Sequence, residues 1–415
     1  MGIPHYFHVL IKTYPNILRH VPPSKCTDYF LDFNGIIHQA ANKVLSSWDK
    51  ADEGFNETLI LEETWNYTQN CVNITRPSNM VHICTDGVAP IAKMNQQRKR
   101  RYISILRNKW ENVQPVFDRN AISPGTHFMD KMHAYIRRCI RDATTCTPFY
   151  FSTSSDNGEG EHKIFSRIAS LPEESVCVVH GLDADLIILS LLSHRPNIVL
   201  MREPSGPMKD VETENGFIYL MIDQLRSAIL DDLRTKYKWS ITSDMVKQPY
   251  NEHANRFIED YATVCFLLGN DFLPHSVSLQ LRKNGYERIL VCGSHAYEKY
   301  GHLITEDGSL NMMYMSFLFQ ELSSTEDHDV WKYNEEYMKK HAYENEKDPY
   351  DTYPLKNKSK LTYEIYNNKP HKWRSLYYKY LFNTKLHDTS VIATSCTLYV
   401  QGLLWTYRYY KRMQK

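Results

Sequence analysis

No C-x-x-C pair occurs in the 415 residues, and the nine cysteines, at positions 26, 71, 84, 139, 146, 177, 265, 292 and 396, follow no regular spacing. Neither a zinc site nor a disulfide framework is indicated, and reduced thiols are expected. Long hydrophobic runs are absent too. The longest, "VIATSCTLYVQGLLW" from Val391, is too short and too polar for a membrane span. Charge of one sign is not in surplus: 49 Lys and Arg against 48 Asp and Glu leave a net charge of +1, so any attraction to a polyanion has to come from a local patch. There is no repeat of fixed period. "MGIPHYFHVL" has no basic segment leading into an apolar one, and Tyr6 stands where a myristoylation signal needs Ser or Thr. The expected location is intracellular, the cytoplasm first, with the nucleus left open. Asn56, Asn66 and Asn73 fit the glycosylation pattern but are discounted, since the pattern arises by chance. What the chain does have is an ordinary apolar share, 42%, and 29 tyrosines, a globular composition with enough length for two domains or for one large domain with extensions.

Three short runs rich in β-branched and aromatic residues each lead into a helical pattern. They are "DYFLDF" into "GIIHQAANKVL", "MVHICTD" into a long basic segment, and "SVCVVHGLD" into "ADLIILSLL". "NIVLMRE" is a fourth strand candidate, and "FIEDYATVCFLLGNDFLP" reads as a buried helix ending at Gly269. Strand-then-helix alternation predicts an α/β fold with a mostly parallel central sheet flanked by helices. A core of residues 1–285 is expected, then a helical extension over 286–342 and a polar, proline-broken linker over 343–372. An aromatic-rich helical segment over 373–415 has too little core of its own and is expected to pack on the first domain.

Acids stand where these strands end: Asp32, Asp86, and the pair Asp183 and Asp185. In open parallel sheets ligands bind outside the carboxyl ends of strands, so these acids are expected to converge. Glu159 and Glu161 of "GEGEHK" and Asp271 of "GNDFLP" join them, making seven. Any one of them read alone is a helix cap or a turn residue. Seven together repel, by roughly 4 kcal/mol per pair about 4 Å apart at an effective dielectric near 20, and call for cations. With all-oxygen ligands, Mg²⁺ or Mn²⁺ fits better than zinc, and two such ions suit phosphodiester hydrolysis.

From Lys93 to Lys109 there are seven basic residues and no acid. On a helix, Lys93, Gln97, Arg100 and Arg101 share one face that could grip a phosphate. A solvated face or a nuclear localisation signal are the plainer readings. The segment begins seven residues after Asp86, which favours the phosphate.

"MGIPHYF", "LDFNGIIH", "DGVAPIAKMNQQRKRR", "GEGEHK", "GLDADLIILSLL" and "GNDFLPH", in this order, resemble the signatures of the XRN family of 5′→3′ exoribonucleases. "WRSLYYKYLFN" with "YVQGLLWTYRYY" resembles the start of that family's second conserved region. The resemblance implies a PIN/FEN-like nuclease core acting processively on single-stranded RNA with a 5′-monophosphate, releasing nucleoside 5′-monophosphates in RNA decay. It further implies that Asp32, Asp86, Glu159, Glu161, Asp183, Asp185 and Asp271 bind two Mg²⁺ or Mn²⁺ ions, that Lys93, Gln97, Arg100 and Arg101 form the 5′-phosphate pocket, and that His38 contacts the terminal base. No membrane and no obligate protein partner are expected. The family's tryptophan-rich stretch that stacks the first base is not among the 415 residues; Trp405 is the candidate substitute, with a core aromatic as the plainer reading. A flap-type structure-specific nuclease is the alternative, although the helix-hairpin-helix pattern of that group is missing after Asp271. An inactive RNA-binding homologue is a further alternative, although none of the seven acids is lost.

Overall fold

The computed structural model describes residues 3, 5–48, 54–144, 146–209, 211–341 and 372–411. Seven strands form one sheet: β1 (Leu18–Arg19), β2 (Asp28–Asp32), β3 (Met80–Cys84), β4 (Phe149–Ser152), β5 (Cys177–His180), β6 (Ile198–Arg202) and β7 (Ile218–Met221). Their order across the sheet is β1-β7-β6-β5-β2-β3-β4. The five strands from β6 to β4 are mutually parallel; β7 runs antiparallel to β6 and β1 antiparallel to β7. Register is close at the centre, where Asp32 of β2 pairs with Cys84 of β3 and Leu31 with His180 of β5. β4 and β7 do not stand out in the sequence: the β4 run is flanked by polar and proline-containing segments, and the β7 run continues without a break into the apolar start of α8.

The sheet is buried on both faces, as a parallel sheet covered by helices must be. Tyr29, Leu31, Val81, Ile83, Val178 and Val199 point to one side, into a cluster with helices α2 (Phe33–Ser47), α3 (Thr58–Thr75) and α5 (His127–Asp142). Phe30, Val179, Ile198, Leu200 and Leu220 point to the other. There they meet α1 (Tyr6–Thr13), α6 (Gly160–Ala169), α7 (Asp185–Leu192), α8 (Ile222–Thr235) and α10 (Glu252–Cys265). α11 (Gly285–Tyr300) and α12 (Met312–Ser324) extend this second cluster, through Ile289, Leu290, Tyr314 and Leu318. α4 (Ile91–Trp110) behaves differently, since Lys93 is its one buried residue. α9 (Ser243–Lys247) is a short link, and α13 (Glu326–His341) packs Val330 and Tyr333 against Trp373 of the next described helix, Trp373–Phe382.

The Thr389–Lys411 helix buries Leu403, Thr406, Tyr407 and Tyr410, a stripe at helical spacing, against α7, α10 and the turn that follows α10. Contact is close at Gly402, where a Cβ would lie 2.9 Å from Leu273 Cδ2. The expected linker, 343–372, lies outside the described residues apart from Lys372. All nine cysteines are free thiols. Among the described residues no helix is long and apolar enough to cross a membrane.

Candidate active site

The chain leaves β2 towards β3 and β4 on one side and returns to its other side for β5 and β6. That reversal opens a crevice at the carboxyl ends of β2, β3 and β5. Asp32 is the last residue of β2, Asp86 lies two residues past β3, and Asp183 three past β5. Two glycines let the backbone press against Asp32. A Cβ on Gly160 would stand 2.9 Å from the Cys84 carbonyl oxygen and 3.1 Å from Asp32 Oδ1, and one on Gly181 would stand 3.3 Å from Asp32 Cβ. The Gly160 N–H donates to Asp86 Oδ1 (2.8 Å), and the Asp86 N–H donates to Asn34 Oδ1 (3.0 Å). These contacts run to backbone or to short side chains, so this part of the site is held stiffly.

Glu159, Asp185 and Asp271 gather around Lys93. Its Nζ lies 3.1 Å from Glu159 Oε1, 2.7 Å from Asp271 Oδ2 and 3.9 Å from Asp185 Oδ2. Glu159 precedes α6, and Asp185 opens α7. Asp271 sits on a turn after Gly269, whose φ of +93° suits glycine. Asn270 Oδ1 accepts from the N–H groups of Phe272 and Leu273 (2.9 and 3.0 Å), which fixes that turn. The opposite oxygens of two acids are taken by the Thr389–Lys411 helix. Tyr409 Oη donates to Glu159 Oε2 (2.5 Å), and Tyr410 Oη to Asp185 Oδ1 (2.5 Å). Glu161, buried in the first turn of α6, feels the charges of Asp185, Glu159 and Asp183 and so joins the two groups.

The electrostatics are those of crowded carboxylates. Burial, then the charges of Asp86 and Asp183, push Asp32 well above the usual carboxylate range. Burial also raises Asp86, against the opposing pull of the Gly160 N–H, and raises Glu159 and Glu161. Asp185 is pushed up to about 6, by burial first. Burial works against charge on Lys93, but Glu161, Glu159, Asp185 and Asp271 outweigh it and raise its pKa. A buried ammonium drawn to the centre of three carboxylates shows that this pocket favours positive charge, and a set of carboxylate oxygens is the donor chemistry of Mg²⁺ or Mn²⁺. The acidic residues therefore fit a divalent ion.

Of the expected phosphate-binding residues, Lys93 is among the acids. Gln97 and Arg101 are half-buried one and two turns along α4, and Arg100 is exposed. His38, half-buried on α2, is lowered to about 4 by burial and by the charges of Arg100 and Arg119, so its ring is neutral and faces the basic helix. Trp405 is 41% exposed and stacks on Tyr409 with ring centroids 5.1 Å apart. It is not a core residue.

Residues 1–204 match the family model described as XRN 5′-3′ exonuclease N-terminus, and residues 251–372 match the one described as Xrn1 helical domain. The chain belongs to the XRN family. Among curated relatives, a protein of Saccharomyces cerevisiae named 5′-3′ exoribonuclease 2 is 30% identical over 84% of this chain and 41% of its own length. One of Gallus gallus with the same name is 27% identical over 79% of this chain and 42% of its own. The chain thus spans about two fifths of the length of these XRN relatives. A solved structure titled the catalytic core of Rad2 in complex with DNA substrate is 13% identical, covers 94% of this chain and 89% of its own, and has a TM-score of 0.39.

Three residues of this XRN site had no role in the reading from sequence. His162 lies inside the quoted "GEGEHK"; its Nε2 is 4.0 Å from Glu159 Oε2, its ring centroid is 4.1 Å from that of Tyr409, and burial lowers it to about 3. Ligand atoms of Glu159, Glu161 and His162 lie within 4.8 Å of one another. A histidine directly after two alternating acids was the available signal. Tyr409 and Tyr410 end the quoted "YVQGLLWTYRYY", which marked the helix as a whole but gave neither tyrosine a place at the acids; both lie outside the two matched segments.

Proposed function

We propose that this chain is a 5′→3′ exoribonuclease that hydrolyses the terminal phosphodiester bond of single-stranded RNA carrying a 5′-monophosphate, with two divalent ions, Mg²⁺ or Mn²⁺. The observation that carries the proposal is the meeting of carboxylates with the first turn of a basic helix whose one buried residue is Lys93, at the reversal of strand order. The relatives named 5′-3′ exoribonuclease 2 support the polarity and the substrate class. Divalent ions held there would activate water and neutralise the leaving oxyanion.

The chain's own residues do the rest. Asp32, Asp86 and Asp183 on one side and Glu159, Asp185 and Asp271 on the other hold the ions, with Glu161 between. Gln97, Arg100 and Arg101 bind the terminal phosphate, the arginines through paired N–H groups. Lys93, already placed between acids and basic helix, offers its ammonium to the phosphate or to the carboxylates as charge requires. His38, neutral and next to Arg100, meets the first base. On this reading the pocket between α4 and the acids takes a monophosphate and leaves out a cap or a triphosphate.

The test is end selectivity. With Mg²⁺, the purified chain is expected to release nucleoside 5′-monophosphates from 5′-monophosphorylated RNA, to spare 5′-hydroxyl and capped RNA, and to stop with EDTA. Equal rates on the three ends would sink the phosphate pocket. Cleavage of a 5′-flap DNA in preference to all three would favour a structure-specific nuclease instead.

A further inference from the structure

Two carboxylates of the cluster, Glu159 and Asp185, are 4% and 2% exposed. A buried carboxylate swings about its last torsion unless something holds it, and an oxygen that binds a metal ion is usually fixed by a hydrogen bond to its partner oxygen. In both residues the two oxygens are divided in the same way. One faces the Lys93 ammonium at the centre of the cluster: Glu159 Oε1 at 3.1 Å and Asp185 Oδ2 at 3.9 Å. The other accepts from a phenol on the outside: Glu159 Oε2 from Tyr409 and Asp185 Oδ1 from Tyr410, each at 2.5 Å.

We propose that Tyr409 and Tyr410 are positioning residues of the metal site, supplied by a helix that begins more than 200 residues after the last strand-borne acid. Each phenol pins the outer oxygen of one acid and so presents the inner oxygen to the ion. The proposal rests on the metal-dependent reading above.

The way the helix is anchored supports it. Tyr407 Oη and Lys411 Nζ both reach Glu259 of α10, at 2.8 and 2.7 Å, and His194 Nε2 meets the same carboxylate at 2.7 Å. These bonds set the rotation and height of the last two turns. Tyr410 is wedged beside Phe266 and Phe272, and Tyr409 lies between Trp405, His162 and Phe272. Both rings are thus fixed by packing, and their hydroxyls arrive at the acids without freedom to turn away.

Tyr407 makes the control possible. It sits on the same helix and donates a similar bond to a carboxylate, but Glu259 lies outside the cluster. Manganese binding to the full chain is measured directly by electron paramagnetic resonance for wild type, Tyr409→Phe, Tyr410→Phe and Tyr407→Phe, with thermal unfolding recorded for each. Tyr409→Phe and Tyr410→Phe are expected to weaken Mn²⁺ binding by about 10- to 100-fold. The Mg²⁺ concentration for half-maximal cleavage should rise by a similar factor, while cleavage at saturating Mg²⁺ falls less. Tyr407→Phe leaves Lys411 on Glu259 and the packing of both rings to hold the last two turns, so it is expected to leave Mn²⁺ affinity unchanged even if it lowers the unfolding temperature. Equal losses in all three variants, or none in Tyr409→Phe and Tyr410→Phe, would overturn the positioning role. A wild-type chain that binds no Mn²⁺ would overturn the metal reading itself and this inference with it. Should Tyr410→Phe, the fully buried position, fail to fold, the half-buried Tyr409→Phe decides.

Discussion

The two halves of the acid cluster are built by different means. Asp32, Asp86 and Asp183 stand at or just past strand ends, and main chain braces the first two, through the Gly160 N–H on Asp86 and the close backbone at Gly160 and Gly181 on Asp32. Glu159, Asp185 and Asp271 are braced by long side chains: Lys93 from α4, and Tyr409 and Tyr410 from the Thr389–Lys411 helix. Asp32 and Asp86 are tied by that main chain to the sheet. The second half depends on a distant helix remaining docked and on a lysine remaining charged, which makes it the half through which packing can tune the site.

Asp183→Ala in the strand-borne half is expected to lower cleavage of 5′-monophosphorylated RNA by on the order of 10³-fold or more in single-turnover assays, with the fold intact, since groups that act as a unit lose most of their effect together. Retained cleavage would remove Asp183 from the site. Lys93→Met should act on the other half. It leaves Glu159, Asp185 and Asp271 without their shared cation, so the metal-free chain should lose about 3–5 kcal/mol in denaturant unfolding, and saturating Mn²⁺ should restore much of it. An unchanged midpoint without metal would show that the ammonium does not hold this half together.

The pH dependence follows from Asp185, raised from the model-compound value of 3.8 to about 6 by burial. A carboxyl that binds its proton more tightly when folded contributes stability below about 4 and loses it as pH rises through about 6. The metal-free chain should therefore become easier to unfold between pH 4 and 6, and Mn²⁺ should stabilise it more at pH 7 than at pH 5. A metal effect equal at the two pH values would contradict this. Glycine substitutions give the smallest effects and the sharpest contrast. Gly160→Ala meets a backbone carbonyl and Asp32, and should cost about 1–3 kcal/mol together with activity. Gly402→Ala meets only the flexible end of Leu273 and should cost less than about 1 kcal/mol in the same unfolding assay.

Much of the sheet was legible because runs such as "DYFLD", "MVHIC" and "IVLMR" are continuous and β-branched, as strands buried on both faces must be. "FYFS" and "IYLM" were not, since four residues of such character also occur within helices. Asp32, Asp86 and Asp183 could be placed at strand ends because each follows its strand by at most three residues, a distance over which local geometry fixes position. For Lys93 the helical face was readable, but not that its ammonium turns from the arginines into the acids, because that choice is made by the summed charge of residues on three other elements. His162 needed its ring environment, and Tyr409 and Tyr410 needed a docking register.

By itself, then, the sequence determined the parallel strands, the acids at their ends, the basic helix beside them and the family to which the chain belongs, all properties of short segments and their order. Only the tertiary structure decided which oxygen of each carboxylate faces the centre, which cation stands there, and which helix holds the outer side. Those contacts join residues 225 and 250 positions apart, for Tyr410 with Asp185 and Tyr409 with Glu159. Side-chain direction over such separations is set by how buried surfaces fit, and no local pattern encodes it.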